Sequence, residues 1–241
     1  MHRFFVSQEI ADHFCISDIN QLHYMKNVLH LKTGDEVTIL DNSGDEYISI
    51  IEAMEKDRIR LIVKEKRWAE ISKVHLTIAC AIPKRDDMDE IIDKLTQLEV
   101  NSIIPLETDR TIVRLDAVKK EARLNRWRKI ALNAAQQSQR SNIPLIQEIT
   151  SVKELILHSQ EYRLKLIATL NGERKNIKEA ISDYTRGNIL VLIGPEGDFT
   201  PQEVSLAGNN GFISVSLGNA VLRVSTAAIA ITSYIKIALA A

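Results

Sequence analysis

The chain has 241 residues, of which 45% are hydrophobic and 26% are charged, and 31 Lys and Arg residues against 32 Asp and Glu residues give a formal net charge of -1. These proportions are those of an ordinary globular protein, and the length suffices for one large domain or two smaller ones with a sizeable core. They exclude wholesale disorder and a protein that binds nucleic acid through overall basicity alone.

Several other classes of protein are disfavoured by what the chain lacks. Cys15 and Cys80 are its only cysteines, too few for a disulfide framework, which favours reduced thiols in a cytoplasmic protein. The first residues lack the pattern of a secretory signal. The most apolar stretch, residues 225–241, contains Lys236 and is shorter than the roughly 20 residues of a membrane span, so we expect a core helix. The six histidines have no metal-ligand spacing, and we expect no metal.

Residues 1 to about 67 have the pattern of a small β-barrel. One helix is expected at residues 18–29, where apolar residues recur at near-helical spacing. Strands are predicted at residues 3–6, 36–40, 47–51 and 58–63, with a hairpin turn at 41–45. The charged run 64–67 and the polar residues that follow it to Lys73 predict a linker.

From residue 74 onward the pattern changes to alternating strands and helices. Strands are predicted at 74–82, 102–106, 164–170, 189–193 and 212–217, and helices at 89–98, 119–139 and after Asn176, Pro201 and Ser225. Short, nearly continuous apolar strands separated by helices indicate a parallel sheet covered on both faces. Such sheets bind ligands at the carboxyl ends of their strands.

The strongest local motif follows a buried strand that ends at Ile193. A turn, Gly194-Pro195-Glu196-Gly197, leads into a helix with Thr200 as N-cap, Pro201 at N1 and Glu203 at N3, a capping box. The two glycines allow the backbone to approach a ligand closely. A tight strand-to-helix connection with no ligand is the alternative. Neither a dinucleotide fingerprint nor a phosphate-binding P-loop occurs in the chain.

A second glycine-containing loop, residues 217–223, follows the next strand and precedes a long apolar helix. Two such loops at adjacent strand ends would share a cleft. Arg223 stands out as a charge beside that cleft, although it could instead pair with a carboxylate.

Two segments are strongly basic within the neutral total. Residues 110–140 contain nine basic and two acidic residues, a local charge of +7, and residues 56–73 contain seven basic and three acidic ones. A packing face is predicted for the long helix at Leu124, Trp127, Ala131 and Ala134. A solvated helix face would explain the basic run, but two basic regions favour a phosphate-rich partner.

Motifs along almost the whole chain occur in the order of one known family. They are residues 3–6, 28–29, 31–35, Lys84, Lys94, 137–140 with Pro144, 194–197 and 217–223. With these motifs the chain resembles the RsmE family of 16S ribosomal RNA uridine N3-methyltransferases.

The resemblance implies an α/β protein with a PUA-like, RNA-binding β-barrel at residues 1–67 and a SPOUT-class methyltransferase domain at 74–241. The carboxyl-terminal part would form a deep trefoil knot, a rare exception to unknotted connections. Family members are homodimers that bind S-adenosylmethionine in the knot. The implied cofactor-binding residues are Thr169, Leu170, Leu192, Ile193, Gly194, Pro195, Glu196, Gly197, Leu217, Gly218, Asn219, Val221 and Leu222.

The implied partner is 16S rRNA or the small ribosomal subunit, in the cytoplasm and away from membranes. We expect RNA to be held through phosphate contacts and shape, by the barrel and the basic segment 110–140. The candidate RNA-binding residues are Arg3, Lys26, Lys84, Arg110, Arg114 and Arg140.

Methylation would require the uracil N3 to lose a proton and attack an electrophilic methyl in line. A guanidinium near a uracil carbonyl oxygen would stabilise the anion, and Arg223 is the candidate catalytic residue. The chain departs from the family pattern at Gln97, Asn133 and Ser225, where carboxylates are usual. Without a Glu at position 225 no general base is obvious, which leaves solvent to take the proton.

The three missing carboxylates have two explanations, a compensated rewiring of one charge network or a weakened activity. The cofactor loops are intact, which favours an active enzyme. Two other functions stay open: a knotted methyltransferase that acts on a different rRNA or tRNA nucleotide, and a non-catalytic RNA-binding protein of ribosome assembly.

Overall fold

A computed structural model describes residues 2–6, 10–41, 45–68, 73–84, 87–111 and 115–239. Contacts divide the chain into two units, one made of residues 1–71 with 135–143, and the other of residues 72–134 with 144–241. In the described ranges no helix is long and apolar enough to cross a bilayer. The same ranges contain no cluster of three or more His, Cys, Asp or Glu side chains that could hold a metal ion.

The first unit is a five-stranded sheet with a short helical segment. Its strands are β1 (His2–Phe5), β2 (His13–Ile16), β3 (Glu36–Leu40), β4 (Glu46–Met54) and β5 (Ile59–Arg67), and its helix α1 (Ile19–His23) continues into a π-helical turn, Tyr24–Val28. The strand order is β1-β3-β4-β5-β2. Among the pairings described in this sheet, β1 with β3 is parallel and the others are antiparallel. The alternate, inward-facing residues of the strands form one core with Leu22 and Met25 of the helical segment.

Most of the predicted barrel elements are present, with two differences. The strand β2 was missed, although its buried residues Phe14 and Ile16 alternate with more exposed ones. The linker expected at residues 64–67 is wrong: these residues extend β5, where Tyr47 pairs with Lys66 and Glu46 with Arg67 in the ladder with β4. Exposed charged side chains are compatible with a strand whose faces are solvated. Asn42, Ser43 and Gly44 of the predicted hairpin turn lie outside the described residues.

The glutamine-rich end of the long helix and the residues that follow it belong to the first unit. Residues 135–143 are assigned there by their contacts, although the residues on either side belong to the second unit. The Ser141 hydroxyl donates to Glu46 Oε1 at 2.8 Å, and Arg3 Nη1 donates to the same oxygen at 2.7 Å. The carboxylate of Glu46 therefore ties this stretch to β1 and β4.

The second unit is a parallel sheet with helices on both faces. Its strands are β6 (Val74–Ala81), β7 (Ser102–Glu107), β8 (Leu145–Ile146), β9 (Thr150–Ser151), β10 (Leu164–Ala168), β11 (Lys175–Asn176), β12 (Gly187–Ile193) and β13 (Ile213–Ser216). Its helices are α2 (Asp87–Gln97), α3 (Ala117–Gln137, whose last three residues belong to the first unit), α4 (Val152–Leu157), α5 (Ile177–Ala180), α6 (Pro201–Asn209) and α7 (Val224–Leu239). The strand order is β11-β13-β10-β12-β6-β7-β8, with β9 beside β7.

Burial on both faces of this sheet confirms the prediction made from its apolar strands. Along β12, Val191 packs with α2 and α7, whereas Leu190 and Leu192 pack with α4 and α6 on the opposite face. Every strand pairing described in the sheet is parallel. The sequence did not indicate β8, β9 and β11, which are two residues long, or α4, a helix of fewer than two turns.

Candidate active site at the ends of three strands

An open cleft lies at the carboxyl ends of three neighbouring strands, β10, β12 and β13. The chain leaves these strands through three loops, at residues 169–174, 194–200 and 217–223, and each loop contributes to the cleft wall. The two predicted glycine-containing loops therefore meet in one cleft, but the prediction that their strands are adjacent is wrong, because β10 lies between β12 and β13. A third loop, which follows β10, completes the wall.

Ten of the thirteen predicted cofactor-binding residues line the cleft. They are Thr169, Leu170, Ile193, Gly194, Pro195, Glu196, Leu217, Gly218, Val221 and Leu222. The other three, Leu192, Gly197 and Asn219, are not among the lining residues. Leu192 points to the opposite face of the sheet because side chains alternate along a strand. Arg223 is exposed and directly follows Leu222.

The turn after β12 is shaped by a buried phenylalanine. A Cβ on Gly194 would lie 3.0 Å from Cδ2 and 3.1 Å from Cε2 of Phe199, whose side chain is fully buried. The predicted capping box is confirmed: Thr200 Oγ1 accepts from the Glu203 amide at 3.2 Å, and Glu203 Oε2 accepts from the Thr200 amide at 2.7 Å. The glycine lets the turn close over Phe199, and the cap fixes where α6 begins.

Asp198 joins two of the three loops, and sequence reasoning missed it. Its carboxylate Oδ2 accepts from Thr169 Oγ1 at 2.9 Å, from the Leu170 amide at 2.9 Å and from Asn171 Nδ2 at 2.7 Å. Asp198 is 8% exposed, lines the cleft and has a φ of +60°, a left-handed conformation that Asp tolerates better than most residues. The only available signal was an Asp beside a glycine turn, which is not specific.

Glu203 extends the network away from the cleft. Its side chain is fully buried, and Oε1 accepts from the Asp109 amide at 2.9 Å, so the carboxylate of the capping box also binds the turn after β7. From that turn, Arg110 Nη1 donates to the Gly197 carbonyl at 2.6 Å and to the Phe199 carbonyl at 3.3 Å. The turn after β7 therefore holds the loop after β12 at Gly197 and Phe199, and the first turn of α6 at Glu203.

Two further ionisable groups are Arg174, in the cleft lining, and Cys80, buried in strand β6. Arg174 donates from Nη1 to the Thr169 carbonyl at 3.3 Å. Under the cleft, burial and then the charge of Glu196 raise the pKa of the Cys80 thiol to about 12. At neutral pH Cys80 is a neutral, packed thiol, so it is unsuited to act as a nucleophile.

Most of the candidate RNA-binding cations already bond to protein groups. Arg3 pairs with Glu46, Lys26 donates to the carbonyls of Glu55 and Lys56, and Arg110 holds the loop after β12. Arg140 is buried, with 6% of its surface exposed. Lys84 is exposed, and its amide donates to Glu196 at 3.2 Å. Arg114 lies outside the described residues.

The basic face of α3 is balanced by acidic residues from other segments. Its predicted packing residues, Leu124, Trp127, Ala131 and Ala134, are all buried. On the outer side, Lys120 lies 2.9 Å from Glu107, Arg126 pairs with Asp89, and Arg128 lies 2.9 Å from Glu148. The local charge of +7 is therefore partly neutralised in the folded unit.

The three positions without the expected carboxylate lie in different surroundings. Gln97 donates from Nε2 to Asp93 at 2.8 Å, and Lys94 binds the same carboxylate at 2.8 Å. Asn133 is exposed, and Ser225 is half-buried in the first turn of α7.

Comparison with known proteins gives consistent matches over nearly the whole chain. A family model described as an RNA methyltransferase domain matches residues 70–236, and one described as an RNA methyltransferase PUA domain matches residues 16–64. The ribosomal RNA small subunit methyltransferase E of Mesomycoplasma hyopneumoniae is 31% identical over 229 residues, which cover 95% of this chain and 96% of that protein. The protein of the same name from Bacillus subtilis is 29% identical, covering 94% and 93%.

A solved structure has the same fold over almost its full length. The ribosomal RNA small subunit methyltransferase E of Neisseria gonorrhoeae, bound to S-adenosyl methionine, is 28% identical and superposes with a TM-score of 0.84, covering 98% of this chain and 97% of that one.

Proposed function

The chain belongs to the ribosomal RNA small subunit methyltransferase E family, and from this membership we propose that it transfers a methyl group from S-adenosylmethionine to small-subunit ribosomal RNA. The observation that carries the proposal is the cleft at the ends of β10, β12 and β13, which lies entirely within the matched methyltransferase domain. Ligands of parallel α/β sheets bind at such strand ends.

The residues of the cleft suit a nucleoside cofactor. The walls of the cleft combine apolar side chains with a few polar and charged groups, as small-molecule sites usually do. Ile193, Leu217 and Leu222 would contact the apolar faces of the cofactor, and Arg174 and Glu196 its polar ends. Gly218 has a φ of +126°, and a Cβ added there would meet no atom of the described residues within 4 Å, so its backbone borders open space. The bound cofactor would supply the electrophilic methyl group.

For the acceptor we propose N3 of a uridine, as the resemblance to the family implies. Arg223 directly follows the cleft residue Leu222 and is exposed, which leaves its guanidinium available to a substrate. Its charge would stabilise the uracil anion that forms when N3 loses its proton. Solvent would accept the proton.

The remaining parts of the proposal concern architecture and location. The chain would have an RNA-binding barrel at residues 1–67 and a methyltransferase domain with a trefoil knot at residues 74–241. The enzyme would be a homodimer and would act in the cytoplasm. One observation supports the knot: α7 follows β13 yet contacts α2, β6 and β12, so the chain returns across β10 after forming the cleft loop. A threaded path is compatible with that return.

The test of the catalytic role is Arg223→Ala, with Arg186→Ala as a control at an exposed site outside the cleft lining. Methyl transfer to small ribosomal subunits from a strain lacking the enzyme should fall at least 100-fold in kcat, while calorimetric affinity for S-adenosylmethionine stays within a few-fold. An equal loss of both would assign Arg223 to folding or cofactor binding instead.

The test of the substrate is a map of modified nucleotides in 16S rRNA from a deletion strain with and without this chain. Restored N3-methyluridine would support the proposal. If the modification of a different nucleotide were restored, that nucleotide would be the acceptor and not N3 of a uridine. A chain that binds no S-adenosylmethionine would be a non-catalytic RNA-binding protein.

A further inference from the structure

Trp68 is the more exposed of the two tryptophans of the chain. It directly follows β5 and is 74% exposed, whereas Trp127 is fully buried in the core of the second unit. A single exposed apolar side chain is common on protein surfaces and needs no explanation by itself. The surroundings of this indole distinguish it from the other exposed apolar residues.

An ammonium group is fixed over the indole of Trp68. Lys66 Nζ lies 3.8 Å from the centre of the Trp68 ring and 4.9 Å from that of Tyr47. The same nitrogen lies 2.9 Å from Asp45, and hydrogen bonds to Tyr47 and then Asp45 raise the pKa of Lys66. The ladder between β4 and β5 pairs Tyr47 with Lys66, which holds the cation in place. The arrangement is an exposed indole with an ammonium group, itself paired with Asp45, held against its ring.

This pair has the chemistry that single-stranded RNA requires. Unpaired bases stack on aromatic side chains, and a neighbouring cation adds attraction to the phosphates and to the π-system. Trp68 lies between the two matched family ranges, 16–64 and 70–236, so neither family description includes it. Several of the predicted RNA-binding cations bond within the protein, as Lys66 does to Asp45, whereas the indole of Trp68 is open to solvent.

We propose that Trp68, with Lys66 beside it, is a stacking site for an unpaired nucleobase of the RNA substrate. The proposal rests on the proposed function, because it gives the barrel unit a specific contact with the RNA that the second unit would methylate. It predicts a preference for single-stranded over double-stranded RNA at this site, since a base in a duplex offers no free face.

Intrinsic fluorescence tests the contact directly, because Trp127 is buried and Trp68 is accessible. A single-stranded, uridine-rich oligoribonucleotide should quench the emission of the wild-type protein and leave that of Trp68→Ala unchanged; the same strand in a duplex should quench less. Affinity for the single strand should fall roughly tenfold in Trp68→Ala and recover in Trp68→Phe, which keeps an aromatic ring. Ile19→Ala, at a side chain 81% exposed in the same unit, is the matched control and should bind like wild type.

Methylation kinetics separate this proposal from the proposed function. Trp68→Ala should raise the KM for small ribosomal subunits about tenfold, with kcat at saturating RNA and S-adenosylmethionine affinity unchanged. A wild-type enzyme that methylates rRNA, with Trp68→Ala equal to it in KM and RNA affinity, would overturn the stacking site and leave the enzyme intact. Quenching that depends on Trp68 in a protein that methylates no RNA would support the stacking site and overturn the proposed function.

Discussion

Two groups of carboxylates, one on the sheet surface of the first unit and one at the cleft of the second, are used differently. In the first unit, Glu52, Glu55 and Glu65 pair with arginines on neighbouring strand or turn positions, and every partner is at least one-third exposed. In the second unit, Asp198 and Glu203 are buried and accept hydrogen bonds from distant parts of the chain. The exposed pairs lie on the surface of the sheet, whereas the buried carboxylates hold together the loops of the cleft.

The difference has an energetic basis. Exposed ion pairs contribute about 0–1 kcal/mol because water screens them. Hydrogen bonds to a buried charged group contribute about 1.5–3 kcal/mol each, and loss of the carboxylate leaves its donors unsatisfied. Substitutions should therefore be costly in the cleft network and nearly neutral on the barrel surface.

The largest effect is expected for Glu203→Ala. It removes the acceptor of the Asp109 and Thr200 amides and leaves a cavity, so the free energy of unfolding should fall by about 3–5 kcal/mol. Urea denaturation followed by the fluorescence of buried Trp127 measures this in the second unit. Thr200→Ala is the control: it removes the hydroxyl that accepts from the Glu203 amide and donates to Glu203 Oε2, and about 1 kcal/mol should be lost. If the free energy of unfolding fell equally in the two variants, the hydrogen bond from the Asp109 amide to Glu203 would contribute nothing to stability.

The next effect distinguishes two glycines of one turn. Gly194→Ala places a methyl 3.0 Å from the Phe199 ring and should cost about 1–3 kcal/mol, with weaker cofactor binding. Gly197→Ala places it 3.6 Å from Arg110 Cδ, an ordinary contact, and should be nearly neutral. Thermal denaturation and calorimetry with S-adenosylmethionine measure both. If Gly197→Ala were the more harmful variant, the packing of Phe199 would not be what requires glycine here.

Asp198→Gly should have a smaller effect, mainly on the cofactor. Glycine accepts the φ of +60°, so the substitution removes the carboxylate bonds to residues 169–171 without backbone strain. We expect cofactor affinity to fall roughly tenfold, because a loop of the cleft is no longer pre-organised, with kcat at saturation unchanged. Asp198→Ala should bind the cofactor no better than Asp198→Gly does. It should be about 1 kcal/mol less stable than Asp198→Gly, since alanine is strained at this φ. Unchanged affinity in both variants would exclude a role of Asp198 in positioning the loop.

The smallest effect is expected in the first unit. Arg60→Ala breaks contacts to Glu52 at 3.6 Å and Glu55 at 3.2 Å, and the free energy of unfolding should change by less than about 0.5 kcal/mol. Circular dichroism during urea denaturation, repeated at high salt, measures it. A loss of more than about 1 kcal/mol would contradict the contrast between the two units.

Local patterns predicted much of the fold. The bounds of β3 were predicted residue for residue, and the capping box of α6 was identified from Thr200, Pro201 and Glu203. Both depend on neighbouring residues alone. The linker expected at residues 64–67 was wrong because charge was taken as a sign of a loop, although the strand ladder of β5 continues through it.

For the site, sequence reasoning located the two glycine-containing loops but not the contacts that fix them. Asp198 and Arg174 were missed, and Arg110 was interpreted as an RNA contact although its guanidinium holds the Gly197 carbonyl. Nothing near these residues in the sequence indicates their partners, which lie about 28 to 87 positions away or across a loop.

The distribution of charge shows most clearly what the sequence predicts and what only the folded structure decides. The sequence by itself determined the period of each segment, the turns and caps, and the sorting of basic residues into two segments, because these properties depend on residues a few positions apart. Only the tertiary structure decided which charges stay free. Asp89, Glu107 and Glu148 come from other elements to pair with α3, and residues 135–143 join the first unit, because the packing of distant strands and helices brings these groups together.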